Sequence, residues 1–342
     1  MSITIIGAGA IGGVIGAYLI KNGENVTFVD RDIDHVKEIN SNGLTIHMKD
    51  NKFTVKAPAY TVEEFLHTKE SVDIVFLAVK AQHTKDAIQP FEKLMHENSF
   101  VVSFQNGLCE EVIASVVGKS RTVGCFVNLY ADYIGPGNIE YGGVGSLYIG
   151  EIDGRESSRV NDLRDRLQCW GDAKATQNIF GYLWSKLAYG AILTATALTN
   201  NEIADFFWDS KFHPLLNSIG TEVLQVAAKQ GITPESFDNW IPGLLFPEKK
   251  ASDLEESYFD IAKRLRGYTK TRTGIWRDLA VRKRKTEVFE HLNPVILLGE
   301  KNGFEMSLLK KLTSMIREIE EGTREMSMQN IEELKECVKE IV

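Results

Sequence analysis

The stretch "ITIIGAGAIGGVIG" at residues 3–16 constrains the fold most strongly. An apolar, β-branched run leads directly into Gly7, Gly9 and Gly12, and a helical pattern follows at once. In GxGxxG spacing the three glycines have separate duties. The first permits a tight turn, the second lets a pyrophosphate approach the backbone, and the third lets the helix pack closely on the strand. Ala10 and Ile11 open the helix, whose free N–H groups favour a phosphate. The reading is a dinucleotide site at Gly7, Gly9, Ala10, Ile11 and Gly12, with a bare structural turn as the alternative. The second strand, "NVTFVDRD", ends in Asp30, 18 residues after Gly12. An acid there accepts hydrogen bonds from ribose hydroxyls and repels a 2′-phosphate, which favours NAD. Arg31 beside it is a natural 2′-phosphate clamp and keeps NADP open.

Beyond the turn, short β-branched runs alternate with helical segments. Strands are predicted at 3–6, 25–30, 74–79, 100–104 and 122–128, and helices near 10–22, 32–41, 82–96 and 109–117. Such alternation specifies a parallel sheet covered by helices. "GLTIHMKDNKFTVKAP" interrupts it with two strand-like pieces around Lys49-Asp50-Asn51, read as a hairpin inserted in that sheet. A further strand pair, "GNIEYGG" and "GSLYIGEI", follows the Gly135-Pro136-Gly137 turn. After about Gln177 the texture changes to long periodic stretches at 179–200, 212–230, 288–302, 305–321 and 328–341. The fold class is therefore α/β. Residues 1–178 form a Rossmann-type dinucleotide-binding domain, and residues 179–342 an all-helical domain for substrate binding and dimerisation. Gly322 separates the last two helices.

From Ala175 to Asn201 the only charged side chain is Lys186. The run is apolar enough to suggest a membrane span. A central lysine would cost roughly 3 kcal/mol on insertion, and Gly181, Gly190 and several threonines fit a buried helix better. An unpaired buried ammonium is expensive, so Lys186 either reaches water or is kept for chemistry. The chain enters its first strand without a basic n-region or cleavage site, and the expectation is a cytoplasmic protein. With 39 Lys and Arg against 47 Asp and Glu, the net charge of −8 argues against a general basic field for nucleic acid. Cys109, Cys125, Cys169 and Cys337 form no CxxC, and the seven histidines show no HxH or HExxH spacing, so no metal site is expected. His83 and His213 are read as surface polar residues in preference to catalytic ones.

Taken with "VFLAVKAQ" at 75–82, "SFQNGL" at 103–108, "LWSKL" at 183–187 and "TGIWRDLAVRKRKTE" at 273–287, the glycine turn resembles the ketopantoate reductases (2-dehydropantoate 2-reductases). The resemblance implies a Rossmann domain followed by a helical domain, with the active site in the cleft between. It implies an NAD(P)H-dependent reductase of a 2-oxo acid, ketopantoate to pantoate in the family, and so a place in pantothenate biosynthesis. Lys80 and Asn106 match family residues lining the cofactor and substrate cleft. Lys186 matches the family's catalytic lysine, the proton donor to the ketone oxygen. The chemistry suits the residue type, because negative charge grows on that oxygen as hydride reaches the carbonyl carbon.

The departures bear on the substrate. In the family, asparagines stand four and eight residues after the lysine. Here Gly190 and Thr194 stand there, on the same helix face as Lys186 but poorer in hydrogen bonds. That face leaves room for a bulkier substrate, or for Tyr189 or Tyr182 to turn inward. The family's substrate-binding serine falls near Thr273-Gly274, where Thr273 can supply a hydroxyl. The family's acidic residue matches Glu287, one residue further from Asp278 than expected, about 100° of helix. Arg277, Arg282, Lys283, Arg284 and Lys285 are read either as a solvated face or as cations for a substrate carboxylate or cofactor phosphate. The expected partner is a small 2-oxo acid, with neither nucleic acid nor membrane, in a homodimer formed through the helical domain. Two other readings stay open: an opine-type or other 2-hydroxyacid dehydrogenase on the same plan, and a non-catalytic dinucleotide-sensing regulator.

Overall fold

The computed structural model describes the chain apart from Val144, Pro247, Glu248, residues 268–270 and Val342, and apart from the side chains of residues 339–341. It divides into two compact units, Met1–Ile179 and Phe180–Val342. The first contains β1 (Ile3–Ile6), α1 (Ala10–Lys21), β2 (Val26–Val29), α2 (Ile33–Asn42), β3 (Leu44–His47), β4 (Lys52–Val55), β5 (Ala59–Tyr60), α3 (Val62–Thr68) and β6 (Val72–Leu77). It continues with α4 (Thr84–Ile88), β7 (Met95–Ser103), α5 (Glu110–Val117), β8 (Thr122–Val127), β9 (Tyr130–Gly135), β10 (Asn138–Gly143), β11 (Leu147–Glu151), α6 (Ser158–Leu167) and β12 (Ala173–Ala175).

Eight of these strands form one sheet in the order β12-β11-β8-β7-β6-β1-β2-β5. From β8 to β5 every pairing is parallel, and β11 alone runs antiparallel to its neighbour β8. The central strands are buried on both faces, as Ile3, Ile5, Ile74, Val75, Val101 and Val102 show with no exposed surface. Parallel sheets demand such continuous apolar runs because helices cover both sides. Two apolar clusters result, one around Ile5, Phe28 and Phe76, the other around Val75, Val101 and Phe91.

Three expectations need correction. The hairpin β3–β4 is not part of the main sheet. It belongs to a second sheet of order β4-β3-β10-β9, in which β3 pairs parallel with β10. The predicted strand pair at 137–152 is likewise split, β10 joining this second sheet while β11 joins the main one. Glycine makes the arrangement possible: a Cβ on Gly13 of α1 would collide with Ile139 of β10 and crowd Leu44 of β3. The predicted helix at 82–96 is broken into the short α4 and a 3₁₀ segment, Gln89–Leu94, because Pro90 lacks the N–H a continuing helix needs.

The second unit is helical: α7 (Ile179–Thr196, whose first residue closes the first unit), α8 (Ile203–Trp208), α9 (His213–Lys229), α10 (Ala251–Arg266), α11 (Gly274–Ala280), α12 (Val288–Lys301), α13 (Ser307–Glu320) and α14 (Met328–Ile341). Helices α8, α10 and α11 were not anticipated, since α8 and α11 are too short to show periodicity and α10 is dense in charge. Helix α13 begins after Met306, a residue at φ 55° with no side-chain cap. The buried carboxylate of Glu222 on α9 supplies the cap, accepting the Leu308 and Leu309 N–H groups at 2.9 Å each. Gly322, at φ 74°, turns the chain between α13 and α14. Among the described residues no helix is long and apolar enough to cross a membrane, and no group of three or more His, Cys, Asp or Glu is placed to hold a metal ion.

Candidate functional site

The chain runs from β1 outward to β2 and β5, then returns to place β6 on the other side of β1. That reversal opens a crevice at the carboxyl ends of β1 and β6, where doubly wound sheets bind ligands. The predicted dinucleotide residues of the first unit follow the carboxyl ends of four adjacent strands: the glycine turn after β1, Asp30 and Arg31 after β2, Lys80 after β6, and Asn106 after β7.

The turn itself has the expected mechanics. Gly7 sits at φ 98°, and a Cβ there would lie 2.9 Å from the Ala78 carbonyl of the neighbouring loop. A Cβ on Gly12 would strike the Gly7 carbonyl oxygen. Gly9 is different, because among the described residues nothing lies within 4 Å of the position its Cβ would take. It is the N-cap of α1 and offers no side-chain cap to the first turn, where Ala10 and Ile11 are half-buried. Open space facing uncapped N–H groups is the arrangement an anion requires.

The Asp30 carboxylate is held from two sides. One oxygen accepts the Ala8 N–H at 2.8 Å and the other the Asp32 N–H at 3.0 Å. Each oxygen keeps one acceptor position. Arg31 is exposed, and its Nη1 lies 3.2 Å from Nε2 of His83. Lys80 is half-buried at the start of the 3₁₀ turn Ala81–His83. Asn106 is half-buried in the loop ahead of α5, followed by Gly107 at φ 89°.

Two positioning residues escaped the sequence reading. Buried Gln105 donates from Nε2 to the Val79 carbonyl at 2.9 Å and to Thr84 Oγ1 at 2.8 Å, tying the loop of Asn106 to the loop of Lys80. Buried His35 accepts the Gly137 N–H on Nδ1 at 2.9 Å, so Nε2 carries the hydrogen and donates to the Ala8 carbonyl at 2.9 Å. It braces the glycine turn against the second sheet. The signals were faint: Gln105 adjoins the noted Asn106, and His35 was one histidine among seven.

In the second unit, Lys186 is half-buried on α7. Gly190 and Thr194 continue its face, and the Thr194 hydroxyl donates to the Gly190 carbonyl at 2.8 Å. Thr273 is the N-cap of α11, its Oγ1 accepting the Trp276 N–H at 2.9 Å. The segment around it docks on Asn200, whose carbonyl accepts from Arg272 and whose side-chain oxygen accepts from the Trp276 indole, both at 3.0 Å. Glu287 stands half-buried at the start of α12. Because α11 ends at Ala280, no helix runs from Asp278 to Glu287, and a helical angle between them has no meaning here. Arg282 and Arg284 of the basic segment both pair with Asp278, at 3.3 and 2.9 Å. His213 is buried, not a surface residue, with Nε2 3.0 Å from the Phe207 carbonyl.

Comparison with known proteins places these residues in context. Residues 3–154 match the family described as Ketopantoate reductase PanE/ApbA, and residues 178–320 match its C-terminal part. The 2-dehydropantoate 2-reductase of Archaeoglobus fulgidus is 26% identical over 330 residues, 94% of this chain and 98% of its own length. That of Pyrococcus horikoshii is 29% identical over 235 residues, 67% of this chain and 73% of its own. The fold also matches the solved ternary structure of D-mandelate dehydrogenase with NADH and anilino(oxo)acetate, with a TM-score of 0.79 at 23% identity over 94% of this chain and 99% of that one. At that identity the likeness is one of fold alone.

Proposed function

The chain belongs to the ketopantoate reductase family, and from that premise we propose that it reduces a 2-oxo acid to the 2-hydroxy acid with a nicotinamide dinucleotide. The single observation that carries the reading is Lys186, one ammonium half-buried in a run of otherwise uncharged residues. A dinucleotide-sensing protein has no need of a proton donor there.

The residues fit the cofactor, because the space beside Gly9 and the uncapped first turn of α1 suit a pyrophosphate. When bound, the reduced nicotinamide supplies hydride. Gly9, Ala10, Ile11 and Gly12 offer backbone N–H groups to the phosphates, while Gly7, whose N–H is donated to the Val29 carbonyl at 2.8 Å, shapes the turn that presents them. Asp30, oriented by the Ala8 and Asp32 N–H groups, accepts the ribose hydroxyls and favours NAD over NADP. Lys80 and Asn106, linked through Gln105, orient the reacting groups. Lys186 holds its proton toward the ketone oxygen, polarises the carbonyl, and protonates the alkoxide as it forms. Thr273 keeps an O–H to donate to the substrate, and Glu287 contributes an acceptor.

The test is consumption of NADH by the purified protein with a panel of 2-oxo acids, ketopantoate included. Turnover with at least one is the expected result. Dinucleotide binding without turnover of any 2-oxo acid would overturn the reading in favour of a sensor.

A further inference from the structure

We propose that Glu110 is a positioning residue for the dinucleotide site: as the neutral acid it keeps the Asn106 loop in the shape the cofactor needs, and as the carboxylate it releases that loop. The inference rests on the dinucleotide half of the proposed function and deepens it. Glu110 opens α5 with no exposed surface. Its side chain lies where Gly124 of β8 leaves space, since a Cβ on that glycine would stand 3.6 Å from the Glu110 Cγ and 2.8 Å from Ile179. Among the described residues neither carboxyl oxygen meets a hydrogen-bond partner in good geometry. Two more buried atoms of this segment share that condition, Ser103 Oγ at the end of β7 and Gln105 Oε1. Of these groups Ser103 alone brings a hydrogen while Glu110 is ionised, and a proton on Glu110 adds a second donor.

A carboxylate in such a place draws water toward itself. Of residues 101–110, Asn106, Gly107 and Leu108 alone are not buried. Gln105 pins one end of this loop to Val79 and Thr84, and at the other the Cys109 thiol donates to the Asn106 carbonyl at 3.5 Å. Strands β7 and β8 and Ile179 close the remaining sides, so water reaches a charged Glu110 by displacing residues 106–108, and Asn106 with them. Burial accordingly pushes the carboxyl up to about 7, and Glu111, next along α5, adds to the rise. Other charges near α5 are turned to solvent: Lys85 and Asp86 on α4, Glu92 and Lys93 in the 3₁₀ segment, and Lys119 ahead of β8 are exposed. Arg121 is half-buried past the far end of α5, and His96 and Glu97 stand at the opposite end of β7 from Ser103. Cys125 of β8 belongs to the other apolar cluster of the sheet.

The test is NADH affinity of the full chain by cofactor fluorescence from pH 6 to pH 8, with circular dichroism recorded at each pH. Binding that admits only neutral Glu110 should weaken about tenfold across that range, for a carboxyl titrating at about 7. By linkage, each NADH bound at pH 8 should take up nearly one proton, read by calorimetry in buffers of different ionisation heat. Glu110→Gln, neutral throughout, should bind NADH at pH 8 as the parent does at pH 6, without proton uptake. Ser103→Ala keeps the carboxyl and removes a hydroxyl that favours its charged form, so the midpoint should move to higher pH. That variant decides the matter should Glu110→Gln fail to fold. A parent affinity flat across the range, an unmoved midpoint in Ser103→Ala, or a slope that persists in Glu110→Gln, as titration of His83 beside Arg31 would give, would overturn the proposal while leaving the dinucleotide site intact. No NADH binding at any pH would overturn the dinucleotide reading itself.

Discussion

At the scale of single residues the proposed function rests on Lys186 and Asp30, and each makes a separate prediction. If Lys186 is the proton donor proposed above, Lys186→Ala should lower kcat by roughly 10²-fold or more, with NADH affinity nearly unchanged. Lys186→Arg should restore little, because a guanidinium keeps its proton and is broader than an ammonium. Steady-state kinetics beside a cofactor fluorescence titration would separate the two effects. Asp30→Ser should narrow a preference of the parent for NADH over NADPH, measured as the ratio of kcat/KM values. A parent that favours NADPH would show that Arg31 outweighs Asp30. The glycine turn was legible because its signal is local, a fixed spacing between a strand and a helix. Gln105 and His35 were not, because their roles are hydrogen bonds to backbone atoms of other loops, Val79 in one case and Ala8 and Gly137 in the other.

Helix α5 shows what an element does to a side chain. It begins at Glu110, which has no exposed surface and lies near Ser103 and Gly124. Burial pushes its carboxyl up from the usual 4.5 to about 7, and neighbouring Glu111 adds to the rise. The N–H groups at the helix start and the Ser103 hydroxyl oppose it without cancelling it. A carboxyl raised in the folded state contributes stability that is complete below pH 4.5 and is lost as pH rises through about 7. Glu110→Gln should therefore be more stable than the parent at pH 8, by up to about 3 kcal/mol, and the gap should close near pH 4.5. Thermal melts across that range would check both the sign and the window. Element boundaries were legible where periodicity ran long, as in α7, α9 and α12. They failed at 82–96, where Pro90 breaks the helix, and at α8 and α11, which are too short to show a period.

Each of the two units has the texture its half of the sequence predicted, alternating strands and helices first and helices alone afterwards. The second sheet of the first unit was not legible. Its defining pair joins β3 to β10, far along the chain, and nothing in the local pattern of "GLTIHMKD" names that partner. The central claim concerns the molecule as a whole: that it moves hydride from a nicotinamide to a 2-oxo acid. The direct measurement supplies the full chain with NADH deuterated at both C4 positions, together with ketopantoate and 3,3-dimethyl-2-oxobutanoate in ordinary water, and locates the label in the product. One deuterium on the carbinol carbon of each hydroxy acid molecule is the predicted result. A hydroxy acid without deuterium at that carbon, or no product from a protein that still binds the dinucleotide, would contradict it.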